Sequence, residues 1–299
     1  MRLGVMLPLG DIGGEPNALR DFALAAEELG YTNLGLPDHV LGANAATHPE
    51  VAGRNTSADM FQDPFVAFGF LAGLCKPTTE FSTQVLILAQ RQAVLVAKQA
   101  ACLDVLCGGR FRLGVGVGWN PVEFVGLNES FTNRGRRSAE QVVVMQKLWA
   151  EPHVVFKGKW HTIDDAGINP LPVNRHIPVW FGGNVDQTLE RIATIGDGWI
   201  MNAYGPGDAA LAEFAKLRRL TEAAGRDPAK IGIEIWTSVG AGKEADWREE
   251  AQFWKRSGAS HLTLTTFFGR RHHKRITGTS PAEHLAALRR YRDAVADVL

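Results

Sequence analysis

The feature that most constrains this chain is a regular alternation of short apolar runs with segments of helical spacing along its 299 residues. Runs of strand character recur eight times, at residues 2–7, 33–40, 82–88, 110–118, 178–183, 197–202, 230–240 and 261–267. Eight short strands that alternate with eight helices, without a linker, are typical of an α/β fold. The pattern predicts a TIM (β/α)₈ barrel that occupies residues 1–299 as one domain.

Two segments interrupt the alternation. Residues 151–172 predict an inserted hairpin that turns at Lys157-Gly158. Residues 41–62, after the second strand, have no period and are a candidate lid or pocket wall. A doubly wound sheet is the competing architecture, but it needs a glycine fingerprint after an early strand, and Trp119 stands where the last glycine belongs.

The fourth run has an unusual face. Apolar side chains alternate with three glycines along it, at Gly114, Gly116 and Gly118. Glycines weaken a strand unless something approaches its backbone closely, so we expect the flat ring or sugar-phosphate of a cofactor to lie against them. The stretch that follows is expected to be an irregular loop up to a helix that begins near Asn133.

Composition narrows the function. The 32 basic and 32 acidic side chains cancel, which argues against a dedicated nucleic-acid binder. The N-terminal apolar run is too short for a signal sequence, and no stretch is long enough to span a bilayer. The three cysteines lack metal-ligand spacing and are expected to be structural thiols in a reducing compartment. A soluble, cytoplasmic protein without a metal, nucleic-acid or membrane partner is the expectation.

Asp38 and His39 end the second strand. In a barrel the chemistry lies where the strands end, and a histidine there could give or take a proton. The alternative is a turn pair that caps the next segment.

Gly182, Gly183 and Asn184 end the fifth strand and lead directly into a helix. Free backbone N–H groups at a helix N-terminus, with glycines that permit close approach, form an anion site. The alternative is an ordinary tight turn between strand and helix.

Three arginines, Arg134, Arg136 and Arg137, begin the helix after the fourth strand. Cations at a helix N-terminus oppose its dipole, so a bound phosphate or carboxylate would explain them. A solvated basic face is the alternative.

Trp119 and Asn120 follow the fourth strand, and an aromatic wall there suits a planar ring, although core tryptophans are commoner. The basic run RRHHKR (270–275) follows the eighth strand, where barrels often bind phosphate. It could meet an anionic cofactor tail or substrate, or remain a solvated loop.

Several of these segments together resemble one family. GRFRLGVGVGW with the following RGRRSAE, and then PVWFGG and DGWIMN, resemble the bacterial luciferase-like flavin and deazaflavin oxidoreductases. The Asp38-His39 pair and residues 86–110 fit the branch that uses coenzyme F420, a deazaflavin. The resemblance extends over about residues 2–202 and implies a TIM barrel, usually a homodimer, with the cofactor ring at its mouth.

The resemblance also implies a set of site residues. A non-prolyl cis peptide behind the ring corresponds to Gln84-Val85, and His39 beside the ring becomes the candidate proton donor or acceptor, paired with Asp38. The implied cofactor-binding set is Asp38, His39, Gln84, Val85, Trp119, Asn120, Arg136, Gly182, Gly183 and Asn184. The sugar-phosphate dehydrogenases of the family carry a glutamate where this chain has Trp119, so a sugar phosphate is not the expected substrate.

Three functions follow from this reading. The first is hydride transfer between coenzyme F420 and a small organic substrate, with one proton managed through His39. The second keeps the fold but uses reduced FMN and oxygen, as a monooxygenase. The third is a deazaflavin carrier or sensor without turnover. The pocket segments 41–62 and 265–279 have no recognisable pattern.

Overall fold

A computed structural model describes residues 1–51 and 53–299. Within these ranges the strands are β1 (Arg2–Met6), β2 (Asn33–Leu36), β3 (Glu80–Thr83), β4 (Leu86–Ile87), β5 (Phe111–Gly116), β6 (Val154–Lys157), β7 (Thr162–Ala166), β8 (Val179–Gly182), β9 (Gly198–Met201), β10 (Gly232–Ser238) and β11 (His261–Thr265). Parallel pairing runs in the order β3, β2, β1, β11, β10, β9, β8 and β5, and a β3–β5 pairing closes the ring. The predicted TIM barrel is confirmed.

Helices surround the barrel. They are α1 (Leu9–Ile12), α2 (Pro16–Glu28), α3 (Pro64–Ala72), α4 (Ala93–Leu106), α5 (Pro121–Gly126), α6 (Arg134–Ala150), α7 (Asp186–Ile195), α8 (Asp208–Ala223), α9 (Glu244–Arg256) and α10 (Pro281–Ala294). Local sequence signals determine where helices begin. At α10, Ser280 and Glu283 form a capping box, as their spacing predicts. No helix in the described ranges is long and apolar enough to cross a membrane.

The third barrel strand is broken by a bulge. Phe81 pairs with Phe111 and Leu86 with Val115, so this strand takes one more residue than β5 over the same distance. The peptide bond between Gln84 and Val85 is cis, at the place that the family resemblance implied. The extra residue leaves β3 and β4 as separate strands that both pair with β5.

Buried charge lies inside the barrel. Glu234 is fully buried and pairs with Arg112, which also donates from Nε to Glu80 at 3.0 Å. Gln84 Nε2 donates to Glu234 at 2.7 Å, and Trp236 Nε1 donates to Gln84 Oε1 at 2.9 Å. Buried charges are tolerated when they are paired and hydrogen-bonded, and Glu234 and Arg112 are paired in this way. Arg112 Nη2 has no hydrogen-bond partner among the described residues, and the guanidinium lies over the Trp180 ring.

Two predicted segments between barrel strands had different outcomes. The hairpin is confirmed, because β6 and β7 pair antiparallel and β6 ends at Lys157. The irregular loop expected after β5 is wrong, because Pro121–Gly126 forms helix α5. Asn120 is its N-cap and accepts from Val122 N–H at 3.0 Å, while Pro121 fits the first helical position.

Candidate active site at the barrel mouth

The glycine face of β5 is filled by the protein itself. A Cβ on Gly114 would lie 2.0 Å from the Thr83 carbonyl oxygen, and one on Gly118 would lie 2.6 Å from Ile87 Cγ2. The approach that requires these glycines is therefore that of the bulged third strand. Our expectation that a cofactor ring explains them is wrong, because a neighbouring strand already occupies the space.

Val85 is the residue that the remaining glycines accommodate. A Cβ on Gly116 would lie 2.4 Å from Val85 Cγ2, and one on Gly182 would lie 2.9 Å from Val85 Cγ1. Glycines on β5 and β8 thus leave room for one isopropyl group from the bulge. Val85 packs against an apolar cluster in the barrel interior that is built from Met6, Trp180, Ile200 and Trp236.

Gln84 turns the other way. Its side chain is buried, and its amide is used by Ser82, Glu234 and Trp236 in the barrel interior. Its side chain therefore anchors the bulge from below, whereas Val85 forms the surface above. Any contact of Gln84 with a bound ring has to come from its backbone.

A polar pairing at the mouth joins His39 to a residue that the sequence patterns did not indicate. His39 Nδ1 lies 2.9 Å from Glu123 Oε2, and the other Glu123 oxygen accepts from the backbone N–H groups of Val40 at 3.0 Å and Leu41 at 3.3 Å. The Glu123 side chain is completely buried. Helix α5 supplies it directly after β5, so Glu123 and His39 come from the ends of two different barrel strands.

The charge of this pair can be assigned. Burial alone would raise the pKa of Glu123, but the hydrogen bond and charge of His39, together with the Leu41 and Val40 amides, lower it below its usual range. An ionised carboxylate needs a donor, so we place a ring proton on Nδ1. The Asn55 side-chain amide also lies 2.9 Å from Nδ1, and its Nδ2 donates to the Leu41 carbonyl oxygen at 3.2 Å.

Nε2 is thereby left as the reactive nitrogen of His39. Among residues 1–51 and 53–299, it has no hydrogen-bond partner. The imidazole stands edge-on to Phe61, at 4.8 Å between ring centroids, and to Trp119, at 6.0 Å. A ring nitrogen without a protein partner, between two aromatic rings, can exchange one proton at the mouth.

Asp38 has a different environment from its neighbour. Its fully buried carboxylate pairs with Arg91 at 2.8 Å and accepts from Ile87 N–H at 3.0 Å. Burial alone would lower the pKa of Arg91, but the charges of Asp38 and Asp63 raise it, so the guanidinium stays charged. This ion pair ties β2 to the end of the bulge. This contact indicates a positioning role for Asp38, and its catalytic role as the partner of His39 stays a prediction.

The turn after β8 has the geometry of an open helix start. Gly183 has a φ of 114°, in the region that favours glycine, and α7 begins with no side chain capping its first N–H groups. Asp186, in the first turn, would repel an anion, but it is paired with Lys216. Asn184 is half-buried beside this turn.

The three arginines of α6 have separate surroundings. Arg137 is buried against Glu129 and the Ala89 carbonyl oxygen. Arg134 lies over the Phe131 ring, with 3.7 Å between Cζ and the ring centroid. Arg136 is exposed in the first turn. Within the described residues Arg136 is the one of the three without a partner, so it alone is free to reach a ligand.

A family model described as luciferase-like monooxygenase matches residues 1–297. The chain belongs to this family. An uncharacterized protein of Mycobacterium tuberculosis (strain ATCC 25618 / H37Rv) is 33% identical over 211 residues, which are 68% of this chain and 71% of that protein. Pyrimidine monooxygenase RutA of Allorhizobium ampelinum is 28% identical over 236 residues, which are 76% of this chain and 64% of RutA.

Solved structures share the fold of this luciferase-like chain. An F420-dependent secondary alcohol dehydrogenase in complex with an F420-acetone adduct superposes with a TM-score of 0.76 and 19% identity, covering 100% of this chain and 99% of that chain. At that level of identity the likeness establishes the barrel architecture. The family and the fold together make this luciferase-like protein an oxidoreductase.

Sequence patterns missed three polar residues of this luciferase-like site: Arg91, Glu123 and Asn55. Glu123 lies on a helix of six residues, too short to show a period. Asn55 lies in the 41–62 loop, which has no pattern. A carboxylate four residues after the strand-end Trp119 was visible in the sequence, but only the turn into α5 brings it to His39.

Proposed function

We propose that this protein transfers a hydride between coenzyme F420 and a small organic substrate. The observation that carries the proposal is the His39–Glu123 pair, which leaves the second ring nitrogen of His39 without a protein partner at the barrel mouth. The deazaflavin, when bound, supplies two-electron hydride chemistry, and what remains for the protein is one proton. The F420-dependent alcohol dehydrogenase of the same fold supports this choice of cofactor.

The residues at the mouth fit such a cofactor. Val85 and the apolar cluster beneath it offer a flat, water-excluding surface for a ring. The Gly182–Asn184 turn, with the uncapped start of α7, would hold a phosphate, and exposed Arg136 would add a charge. Trp119 forms part of the wall, whereas Asn120 supports it as the cap of α5.

His39 does the work of proton management in this proposal. Glu123 holds the Nδ1 proton and the ring orientation, so Nε2 is the nitrogen that exchanges a proton with the reacting groups. When a substrate alcohol is oxidised, Nε2 takes the hydroxyl proton; in the reverse direction it returns the proton. Phe61 and Trp119 restrict water access around the ring.

A second candidate is a monooxygenase that uses reduced FMN and oxygen. The similarity to RutA, a pyrimidine monooxygenase, favours it. The two candidates separate in an oxygen electrode. We expect no oxygen consumption above the protein-free rate when reduced FMN is supplied. Consumption that requires both reduced FMN and the protein would contradict F420 dependence and support the monooxygenase.

The protein is also proposed to act as a homodimer through α3 and α4. Both helices are apolar on their outer as well as their inner faces, and large side chains stay exposed there: Val66, Phe70 and Leu74 on or just after α3, and Val94, Leu95, Val105 and Leu106 on α4. The two helices are neighbours, so these side chains form one surface. An apolar patch of this kind is typical of a subunit interface.

A deazaflavin carrier without turnover would not need the His39–Glu123 pair.

A further inference from the structure

Two loops meet at the rim of the barrel mouth, and each brings an arginine. Arg54, in the 41–62 loop, lies over the Trp119 indole, with 5.0 Å between Cζ and the ring centroid. Arg270, in the loop after β11, donates a hydrogen bond to the carbonyl oxygen of Gly53. Asn55 follows Arg54 in the 41–62 loop, and its Nδ2 lies 2.9 Å from His39 Nδ1. The two guanidinium groups therefore converge beside the candidate reactive histidine.

Among the described residues, no carboxylate is paired directly with either of these two arginines. In the part of the chain that the structure describes, neither forms an ion pair, whereas Arg275 in the same β11 loop pairs with Asp11 at 2.9 Å. Asp59 is the acid nearest in the loop, and its Oδ2 is used by the Thr56 amide at 2.7 Å and hydroxyl at 2.8 Å. Burial and the positive charge of Arg54 lower the pKa of Arg270 by more than the negative charge of Asp59 raises it.

The overall composition does not explain this local positive charge, because the chain as a whole has a formal net charge of zero. Two like charges in proximity oppose each other unless an anion lies between them. A guanidinium binds carboxylates and phosphates with two parallel hydrogen bonds, and Arg54 is already oriented by its stacking on Trp119. The rim is therefore built for the acidic end of a ligand.

We propose that Arg54 and Arg270 bind the carboxylate or phosphate of an organic anion, the substrate, whose apolar or aromatic body lies on Trp119. The inference deepens the proposed function by naming a substrate class. The ring centroids of Trp119 and His39 are 6.0 Å apart, so a molecule held at Arg54 presents its far end to His39. Phe61, on the other side of the imidazole, adds a second apolar wall.

The test uses three probes that share one ring: benzoate, phenyl phosphate and the neutral isostere benzamide. Their affinities for the purified full-length protein are measured by calorimetry. At least one of the two anions should bind about 10-fold or more tightly than benzamide, since charge-assisted hydrogen bonds are the stronger kind. The anion with the higher affinity shows whether the substrate carries a carboxylate or a phosphate. Equal binding of all three probes would overturn the proposal.

Variants test whether Arg54 and Arg270 are the source of the preference for anions. The double substitution Arg54→Gln with Arg270→Gln should abolish the anion preference and leave benzamide affinity unchanged. Arg289→Gln, which removes the same charge from an exposed position on the outer helix α10, should leave the preference intact. A preference that survives in the double variant would contradict the assignment. Thermal unfolding midpoints of all variants establish that each is folded.

A fluorescence titration with F420 separates this inference from the proposed function. The double variant should bind F420 as tightly as the unaltered protein. If its F420 affinity falls about 10-fold or more, the arginines serve the cofactor's own anionic groups and the substrate assignment is overturned. If the unaltered protein binds no F420 but still prefers benzoate or phenyl phosphate, the anion site stands and the cofactor proposal fails.

Discussion

His39 Nδ1 and Glu123 Oε2 lie 2.9 Å apart although 84 positions separate the two residues along the chain. The pair joins the end of the second barrel strand to a short helix after the fourth. Because Glu123 is fully buried and ionised, it fixes both the proton and the orientation of the imidazole. Glu123 therefore acts through His39 and is a positioning residue.

Replacing Glu123 tests this relationship. In Glu123→Gln the amide still accepts a hydrogen bond, but the charge that orients the imidazole is lost. We expect kcat to fall about 100-fold, the lower end of what general acid–base catalysis contributes, with little change in KM. F420 affinity, measured by fluorescence, should stay within about twofold.

The matched control is Glu222→Gln, which neutralises an exposed carboxylate on α8 and should leave kcat unchanged. His39→Ala should lower kcat at least as far as Glu123→Gln, and the double variant should lose little more, because the two residues act as one unit. Additive losses would mean that Glu123 works independently of His39.

The close approach of Val85 to Gly116 can be tested with a double-mutant cycle. In Gly116→Ala the new Cβ would meet Val85 Cγ2 at 2.4 Å, and overpacking of this kind costs about 1–3 kcal/mol in unfolding free energy. Val85→Ala removes the clashing methyl group and leaves Cβ at 3.6 Å, an ordinary contact.

The double variant should therefore be more stable than the sum of the two single losses predicts, by about 1 kcal/mol or more in chemical denaturation. F420 affinity should fall in Gly116→Ala, because the displaced Val85 alters the surface under the ring. Strict additivity would show that the glycine does not serve Val85.

Stability should fall in mild acid because of two buried histidines. Burial, reinforced by Arg112, lowers the pKa of His261 from 6.5 to about 4, and burial with the neighbouring His272 lowers that of His273 to about 4. Between about pH 4 and pH 6.5 the unfolded chain binds protons at these histidines that the folded chain does not bind. The free energy of unfolding therefore drops as the pH falls through this window, by up to about 1.4 kcal/mol per pH unit for each histidine.

His273→Asn should reduce that pH dependence by up to one proton, measured as the change of the denaturation midpoint across the same window. His153→Asn, at an exposed position, is the control and should leave it unchanged. A pH dependence that is identical in all three proteins would contradict the burial argument.

The apolar surface of α3 and α4 predicts the oligomeric state. Sedimentation should give a dimer for the unaltered protein and a monomer for Leu95→Glu, because a buried charge at the interface has no partner. Leu211→Glu makes the same change at an exposed leucine on α8 and should remain dimeric. A dimer that persists in Leu95→Glu would place the interface elsewhere.

The sequence predicted the barrel because its strands and helices leave a periodic trace that depends on local spacing. The capping box at Ser280 and the hairpin turn after Lys157 were equally local. The site was only partly accessible in this way. His39 stood at a strand end, but its partner Glu123 reaches it through a contact between distant segments. The glycines of β5 were misread because a bulge in another strand, not a ligand, fills their face.

Choice of cofactor is the most direct test of the central proposal. The purified protein is titrated with coenzyme F420 and, separately, with FMN, and fluorescence reports both binding curves. We expect saturable F420 binding at least about 10-fold tighter than that of FMN. FMN binding with no detectable F420 binding would contradict the account and leave the monooxygenase as the function of this site.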